Sequence, residues 1–219
     1  MFIGHFGAGL GAKKIDTKPS LGTLFFAAQF IDLLWPIFLL LGIEEVKIDP
    51  GNTVFTPLDF VYYPFTHSFA GVLFWGIVVG AGYYFIKKNT KTAVVLGVLV
   101  VSHWVLDLIV HAPDLPIVPG LDVKIGLGLW NSFALTLIVE LAIFAVGTFF
   151  YFQVTKAKNK KGNYGLWGLI VFLLLIYFMN IFGSTPPNVE SIAWVGNLQW
   201  IFVLWAYWVD KNREGISNS

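Results

Sequence analysis

The chain has 219 residues, of which 57% are hydrophobic and 12% charged, with a formal net charge of +1. Soluble domains run near 45–50% apolar and roughly 25% charged, so an excess this large cannot be hidden in one core of this size, and lipid must solvate much of the surface. The near-neutral charge gives no support for a nucleic-acid partner, and the absence of cysteine leaves only nitrogen and oxygen ligands for a transition metal.

Residues 1–12, MFIGHFGAGLGA, are apolar but too short to span. They are expected to form either a half-helix dipping to mid-depth or backbone lying on the interface. Met1 to Ser20 lacks the charged start, apolar run and small-residue site of a cleaved signal peptide, so none is expected. Six stretches then have the length and apolarity of a spanning helix: Leu21–Ile43, Pro64–Ile86, Thr92–Ala112, Leu127–Phe152, Gly165–Gly183 and Val189–Val209. Short polar segments separate them, and there is no internal repeat. The expected fold is therefore a single all-α, polytopic membrane domain over residues 1–219.

Loop charge assigns the orientation. Lys13, Lys14 and Lys18 precede the first span, Lys87, Lys88 and Lys91 follow the second, and Lys156, Lys158, Lys160 and Lys161 follow the fourth. Lys211 and Arg213 follow the sixth, while the alternate loops hold Glu44, Glu45, Asp49, Asp59, Asp114 and Asp122 against only Lys47 and Lys124. By the positive-inside rule both termini are expected in the cytoplasm, with the chain in the cell (inner or plasma) membrane. Trp130, Trp167, Trp194, Trp208, Tyr62 and Tyr63 lie near span ends and read as interfacial anchors.

The polar residues inside the spans carry the functional reading. Away from their ends the spans hold three acids, Asp32, Asp107 and Glu140, and no Lys or Arg. An ionisable group in a bilayer costs at least a few kcal/mol, so it is kept only where something compensates it. His67, His103 and His111 fall in spans two and three, His5 in the apolar N-terminal segment, and no histidine follows Ala112. His103, Asp107 and His111 are spaced i, i+4, i+8, which sets them on one helical stripe about 12 Å long. His67 follows Pro64 in the first turn of its helix, where the positive helix end disfavours imidazolium and keeps a ring nitrogen free.

At about 1.5 Å per residue the acids and in-span histidines all lie between the outer face and the midplane, so one cavity can hold them. His5 joins them only if its segment reaches inward. The expected metal ligands are therefore His5, Asp32, His67, His103, Asp107, His111 and Glu140, around one or two divalent ions. Zinc is the expected metal, since it takes His and carboxylate ligands and leaves a position for water. Asp32, Asp107 and Glu140 are the expected catalytic carboxylates, with Ser68 and Asn131 as candidates to orient water or substrate.

The ordered motifs Gly4-His5, Asp32, Thr66-His67-Ser68 and His103-x-x-x-Asp107 resemble the predicted membrane-bound metal-dependent hydrolases, the group that includes LexA-binding inner-membrane hydrolases. The match covers about the first half of the chain; Ile31-Asp32 stands where the family typically has Pro-Asp, and Tyr63-Pro64-Phe65 where it often has an arginine. The same order is similar to zinc-dependent phospholipase C and related single-strand nucleases. His5, Asp32, His67, His103, Asp107 and His111 match that pattern in turn, but Thr136-x-x-x-Glu140 replaces its final His-x-x-x-Glu. The resemblance implies hydrolysis of a phosphoester, in a lipid headgroup or isoprenoid phosphate, by metal-activated water. Two alternatives use the same groups: a divalent-metal or proton-coupled transporter, and a catalytically idle membrane scaffold that keeps the metal site.

Overall fold

Five of the helix starts in this chain are capped by serine or asparagine. The structure is a computed structural model and describes residues 1–216. It contains α1 (Ile3–Ile15), α2 (Leu21–Ala28), α3 (Phe30–Leu40), the one-turn α4 (Pro64–His67), α5 (Phe69–Lys87), α6 (Thr90–Val110), α7 (Phe133–Val154), α8 (Lys160–Phe182), α9 (Val189–Asn197) and α10 (Trp200–Lys211). Ser20, Ser68, Asn89, Asn159 and Asn188 each accept from the N–H three residues on, capping α2, α5, α6, α8 and α9. Three short antiparallel ribbons link these helices: β1 (Glu45–Ile48) with β2 (Leu58–Tyr62), β3 (Leu115–Pro116) with β4 (Lys124–Ile125), and β5 (Thr155–Ala157) with β6 (Arg213–Gly215). At two to five residues their alternation is too short to be read from sequence.

Among the described residues, five helical stretches are long and apolar enough to cross a membrane, counting α9 and α10 together as Val189–Lys211. The α2–α3 pair makes a sixth if it is one span. Their outward faces carry side chains such as Ile77, Phe85, Val98, Ile138 and Phe182, which accounts for the apolar excess.

Several expected spans are broken. The first bends by 54° at Gln29. The second is interrupted at Ser68, which is extended and caps α5, so His67 belongs to a separate turn ahead of the long helix. The fourth starts at Phe133, after a 3-10 turn at Leu129–Asn131. Within α3, Pro36 has no N–H to give to the Asp32 carbonyl four residues back. Gln199, in the break between α9 and α10, donates its Nε2 to that carbonyl at 3.4 Å instead, and Gly196 of α9 is small enough to lie against the Pro36 ring.

Residues 3–15 form the half-helix rather than interfacial backbone. Helix α1 runs through the middle of the bundle: Ile3, Phe6 and Leu10 pack with Leu21, Phe25, Phe144 and Phe202, all buried. It lies parallel to α7 at glycine-limited distance, since a Cβ on Gly7 would stand 2.7 Å from the Ile143 carbonyl, and one on Gly147 would overlap the Gly7 backbone. Its lysine-bearing end is tied down by Lys13 to the Pro19 carbonyl (2.7 Å) and Asp210 (3.5 Å), by Lys14 to Gln153 (3.2 Å), and by Asp16 accepting from Thr92 (2.5 Å).

Gly147→Ala should therefore destabilise the protein by about 1–3 kcal/mol, because its methyl meets backbone that cannot rotate away. Gly82→Ala, where the new Cβ meets open space, is the control. Thermal unfolding in detergent, followed by tryptophan fluorescence, should show a clear drop for the first and none for the second; equal midpoints would mean α1 does not pack as described.

Candidate metal centre

Helix α6 presents His103 and Asp107 one turn apart, with Nε2 of the histidine 3.2 Å from Oδ2 of the aspartate. The bend at Gln29 delivers Asp32, in the first turn of α3, to the same place: its Oδ1 is 3.5 Å from His103 Nε2 and 3.6 Å from His67 Nε2. His67 Nε2 is also 3.8 Å from Asp107 Oδ2. From α1, His5 brings Nε2 to 3.1 Å from Asp107 Oδ1 and stacks on His103 with ring centres 3.6 Å apart and planes within 7°. Two sets of donor atoms thus converge, His5 with His103 and Asp107, and Asp32 with His67 and His103. Ligands held 2.0–2.2 Å from a tetrahedral zinc stand about 3.3–3.6 Å from one another. Within the second set the two nitrogen–oxygen separations are 3.5 and 3.6 Å, and Asp107 Oδ2 stands 3.2 and 3.8 Å from the same two nitrogens.

Hydrogen bonding fixes which ring nitrogens carry protons. His103 Nδ1 is 2.9 Å from the Ala28 carbonyl, which can only accept, so Nδ1 is the donor. That carbonyl is free because it belongs to the last turn of α2. His67 Nδ1 is 2.7 Å from Thr66 Oγ1, and Thr66 Oγ1 donates to Glu44 Oε2 at 2.6 Å, so the threonine oxygen receives the imidazole proton. In the neutral rings Nε2 then carries a lone pair on both histidines. His103 Nε2, fully buried, has no hydrogen-bond partner among the described residues while two carboxylates face it. Lone pairs pointed at carboxylate oxygens in a dry site repel unless a positive charge lies between them, and a metal ion could supply it. A ring N–H bound to a carbonyl or a carboxylate-linked hydroxyl is also the usual outer support of a metal-ligating histidine.

Charge and access follow. Asp32 and Asp107 supply two negative charges, and the buried Met1 ammonium already pairs with Asp107 through Oδ1, leaving Asp107 Oδ2 and Asp32 Oδ1 facing the histidines. Asp107 is buried, whereas the Asp32 side chain is 21% exposed and forms the approach to the cluster. Glu44 also accepts from the Phe65 and Thr66 N–H groups at 2.8 Å each, and burial pushes its carboxyl above the ordinary range against those bonds. Tyr63, whose hydroxyl donates to Asp114 at 3.0 Å, is pushed well above its ordinary value by burial and the Asp114 charge, so it remains a neutral donor. Its ring is a wall shared between His67, 5.1 Å away centre to centre, and a groove of about 300 Å³ lined by Tyr62, Pro64, Pro116, Leu121 and Lys124.

His5, Asp32, His67, His103 and Asp107 are thus brought together, and two expected ligands stand outside both sets. His111 Nδ1 is 2.9 Å from Asp114, and its ring sits among Trp130, Phe60 and Tyr63. Glu140 is fully buried on α7, but its Oε2 accepts from the Ile3 and Gly4 N–H groups at 3.0 and 3.4 Å. That oxygen serves a helix start, while Oε1 is buried without a hydrogen-bond partner among the described residues. Ser68 caps α5, and Asn131 is exposed on the 3-10 turn, so neither is placed to orient water in the cluster. Sequence reasoning did not find Glu44, Thr66, Asp114 or the Ala28 carbonyl. For Thr66 the signal was its adjacency to His67; for a backbone carbonyl there is none. No protein family, curated protein or solved structure matches the chain.

Two outcomes test this assignment of protons. Thr66→Val removes the acceptor for His67 Nδ1 and should weaken divalent-ion affinity about 10- to 100-fold, measured by competition with a chromophoric chelator. Because the ion takes lone pairs that protons also take, affinity should fall on acidification and binding should release protons into weakly buffered solution. An affinity independent of pH would remove the histidines from the coordination sphere.

Proposed function

We propose that this chain is a membrane-embedded metal-dependent hydrolase of a phosphoester in a lipid or headgroup-like substrate, of the membrane-bound hydrolase type that its ordered motifs resemble. Residence in the cell membrane with both termini cytoplasmic belongs to the same reading. The observation that carries it is the buried, unpartnered His103 Nε2 set between two carboxylates, on a ring whose other nitrogen is committed to Ala28. His103 offers one lone pair to both donor sets, which favours one ion at a time over two. Zinc suits a nitrogen and carboxylate set of this size.

A bound divalent ion supplies a water of lowered pKa and polarises the phosphoryl oxygen. The chain does the rest. Asp107 is oriented from behind by His5, so Oδ2 faces His103 and His67. Asp32, the part-exposed member, is placed to take the proton of the attacking water. The bundle keeps other water away from His103 and Asp107, both buried.

Detergent-purified protein, never exposed to chelator, should carry about one equivalent of divalent metal. His103→Ala and Asp107→Ala should lose both the metal and phosphodiesterase activity on model substrates. Asp32→Asn should keep some metal while activity falls by at least about 100-fold. Metal-free protein, or activity that survives loss of His103, would sink this reading. Transport is the second reading, favoured by Gln29. It is fully buried at the bend, three residues toward the lysine-bearing end from Asp32, and both its amide atoms lack partners among the described residues. Metal uptake into sealed vesicles, abolished by Gln29→Leu, would select transport instead.

A further inference from the structure

We infer that Glu140 is a positioning residue: its carboxylate holds the start of α1 and, through α1, aims His5 at Asp107. The first link stands on geometry alone, and the consequence for the ion rests on the metal-centre reading above. The first N–H groups of any helix lack partners within it. Helix α1 begins inside the bundle, where water does not serve them. Phe2, at the cap position, supplies no side-chain acceptor. Glu140 Oε2 takes the Ile3 and Gly4 N–H groups instead, and its charge lies at the positive end of the helix dipole. The carboxylate thereby substitutes for both a cap residue and solvent.

Three fixed points then set the register of the parallel α1–α7 pair. They are Glu140 at Ile3 and Gly4, Gly147 against the Gly7 backbone, and Gln153 accepting from Lys14. His5 follows Gly4 directly, so it takes its position from the first of these, together with the Met1 ammonium that pairs with Asp107. A slip of one residue would turn His5 by about 100° and move it about 1.5 Å along the axis. Its hydrogen bond to Asp107 and its stack on His103 would both be lost. The acidic residue that a ligand count would assign to the ion is in this chain a support two steps behind it, acting through α1 and Asp107.

Glu140→Gln keeps a carbonyl oxygen for the two N–H groups, whereas Glu140→Leu keeps the volume and removes the acceptor. Carbethoxylation of His5 by diethyl pyrocarbonate, read by mass spectrometry on protein stripped with a chelator, reports its shielding without metal. Wild type and E140Q should protect His5 alike, while E140L should react at least about tenfold faster there, with His67 on the separate α4 unchanged as the internal control. In metal titrations E140Q should stay within about threefold of wild type, and E140L should lose about 10- to 100-fold, as expected for an outer-support residue. Wild-type protection of His5 in E140L would overturn the proposal. So would a loss of affinity in E140Q as complete as in E140L, which would make Glu140 a ligand. If E140L does not fold, E140Q decides by these same two measurements. Should wild type bind no divalent ion, the metal-centre reading falls while His5 shielding still tests the positioning role.

Discussion

The hydrogen bond from His103 Nδ1 to the Ala28 carbonyl joins the fold to the site. A continuous helix through Gln29 would use that carbonyl for its own ladder, and His103 would have no acceptor on that side. The 54° bend releases the carbonyl, turns Asp32 toward α6 and fixes the proton on the far side of the His103 ring. One backbone irregularity thus sets the tautomer of one ligand and the placement of another. In lipid such a break is tolerated only where its freed groups find partners inside the protein. Here the Ala28 carbonyl finds His103, and the Asp32 carbonyl, freed by Pro36 one turn further on, finds Gln199.

The helical architecture was legible because lipid makes hydropathy and loop charge report the same thing from different residues. Five of the seven expected site residues converge, since an ionisable group inside an apolar span needs a reason to be there. What escaped reading has physical causes. Gln29 is neither proline nor glycine, and the bend there is imposed by packing and by His103. Helix α1, with glycine at positions 4, 7, 9 and 11, has weak intrinsic propensity; its helicity comes from packing against α7, and the glycines are there for close approach. Glu44 read as loop charge because its partners, Phe65 and Thr66, lie 21 and 22 residues away. Glu140 was correctly read as a buried acid in need of compensation. Its compensation is a pair of backbone N–H groups, which no pattern of side chains discloses.

The electrostatic plan is economical. Asp32 and Asp107 are the acids left facing the histidines after the helix starts are served, and Asp107 shares its charge with the buried Met1 ammonium. The histidines between them, His67 and His103, each engage Nδ1 with an outer acceptor, which leaves Nε2 facing the carboxylates. His5 and His103, stacked at 3.6 Å, could not both carry a proton without strong repulsion, so the stack itself favours an ion over a second imidazolium. Asp114 with Tyr63, and Glu44 with Thr66, form a second layer on the hairpin side that keeps His111 and His67 oriented.

The partners of α1 lie far along the chain: Glu140 for its start, Gln153 and Asp210 for its lysines. During synthesis α1 emerges well before α7 and α10 exist to receive it. Until then its glycine-rich helix lacks its α7 partner and packs only against earlier helices such as α2, and its first N–H groups lack the Glu140 acceptor. A segment made before α7 and α10 therefore takes its final place only after them, and His5 joins the cluster only then. Until that moment the set that draws on α1, His5 with His103 and Asp107, is incomplete, whereas Asp32, His67 and His103 all come from helices made before α7.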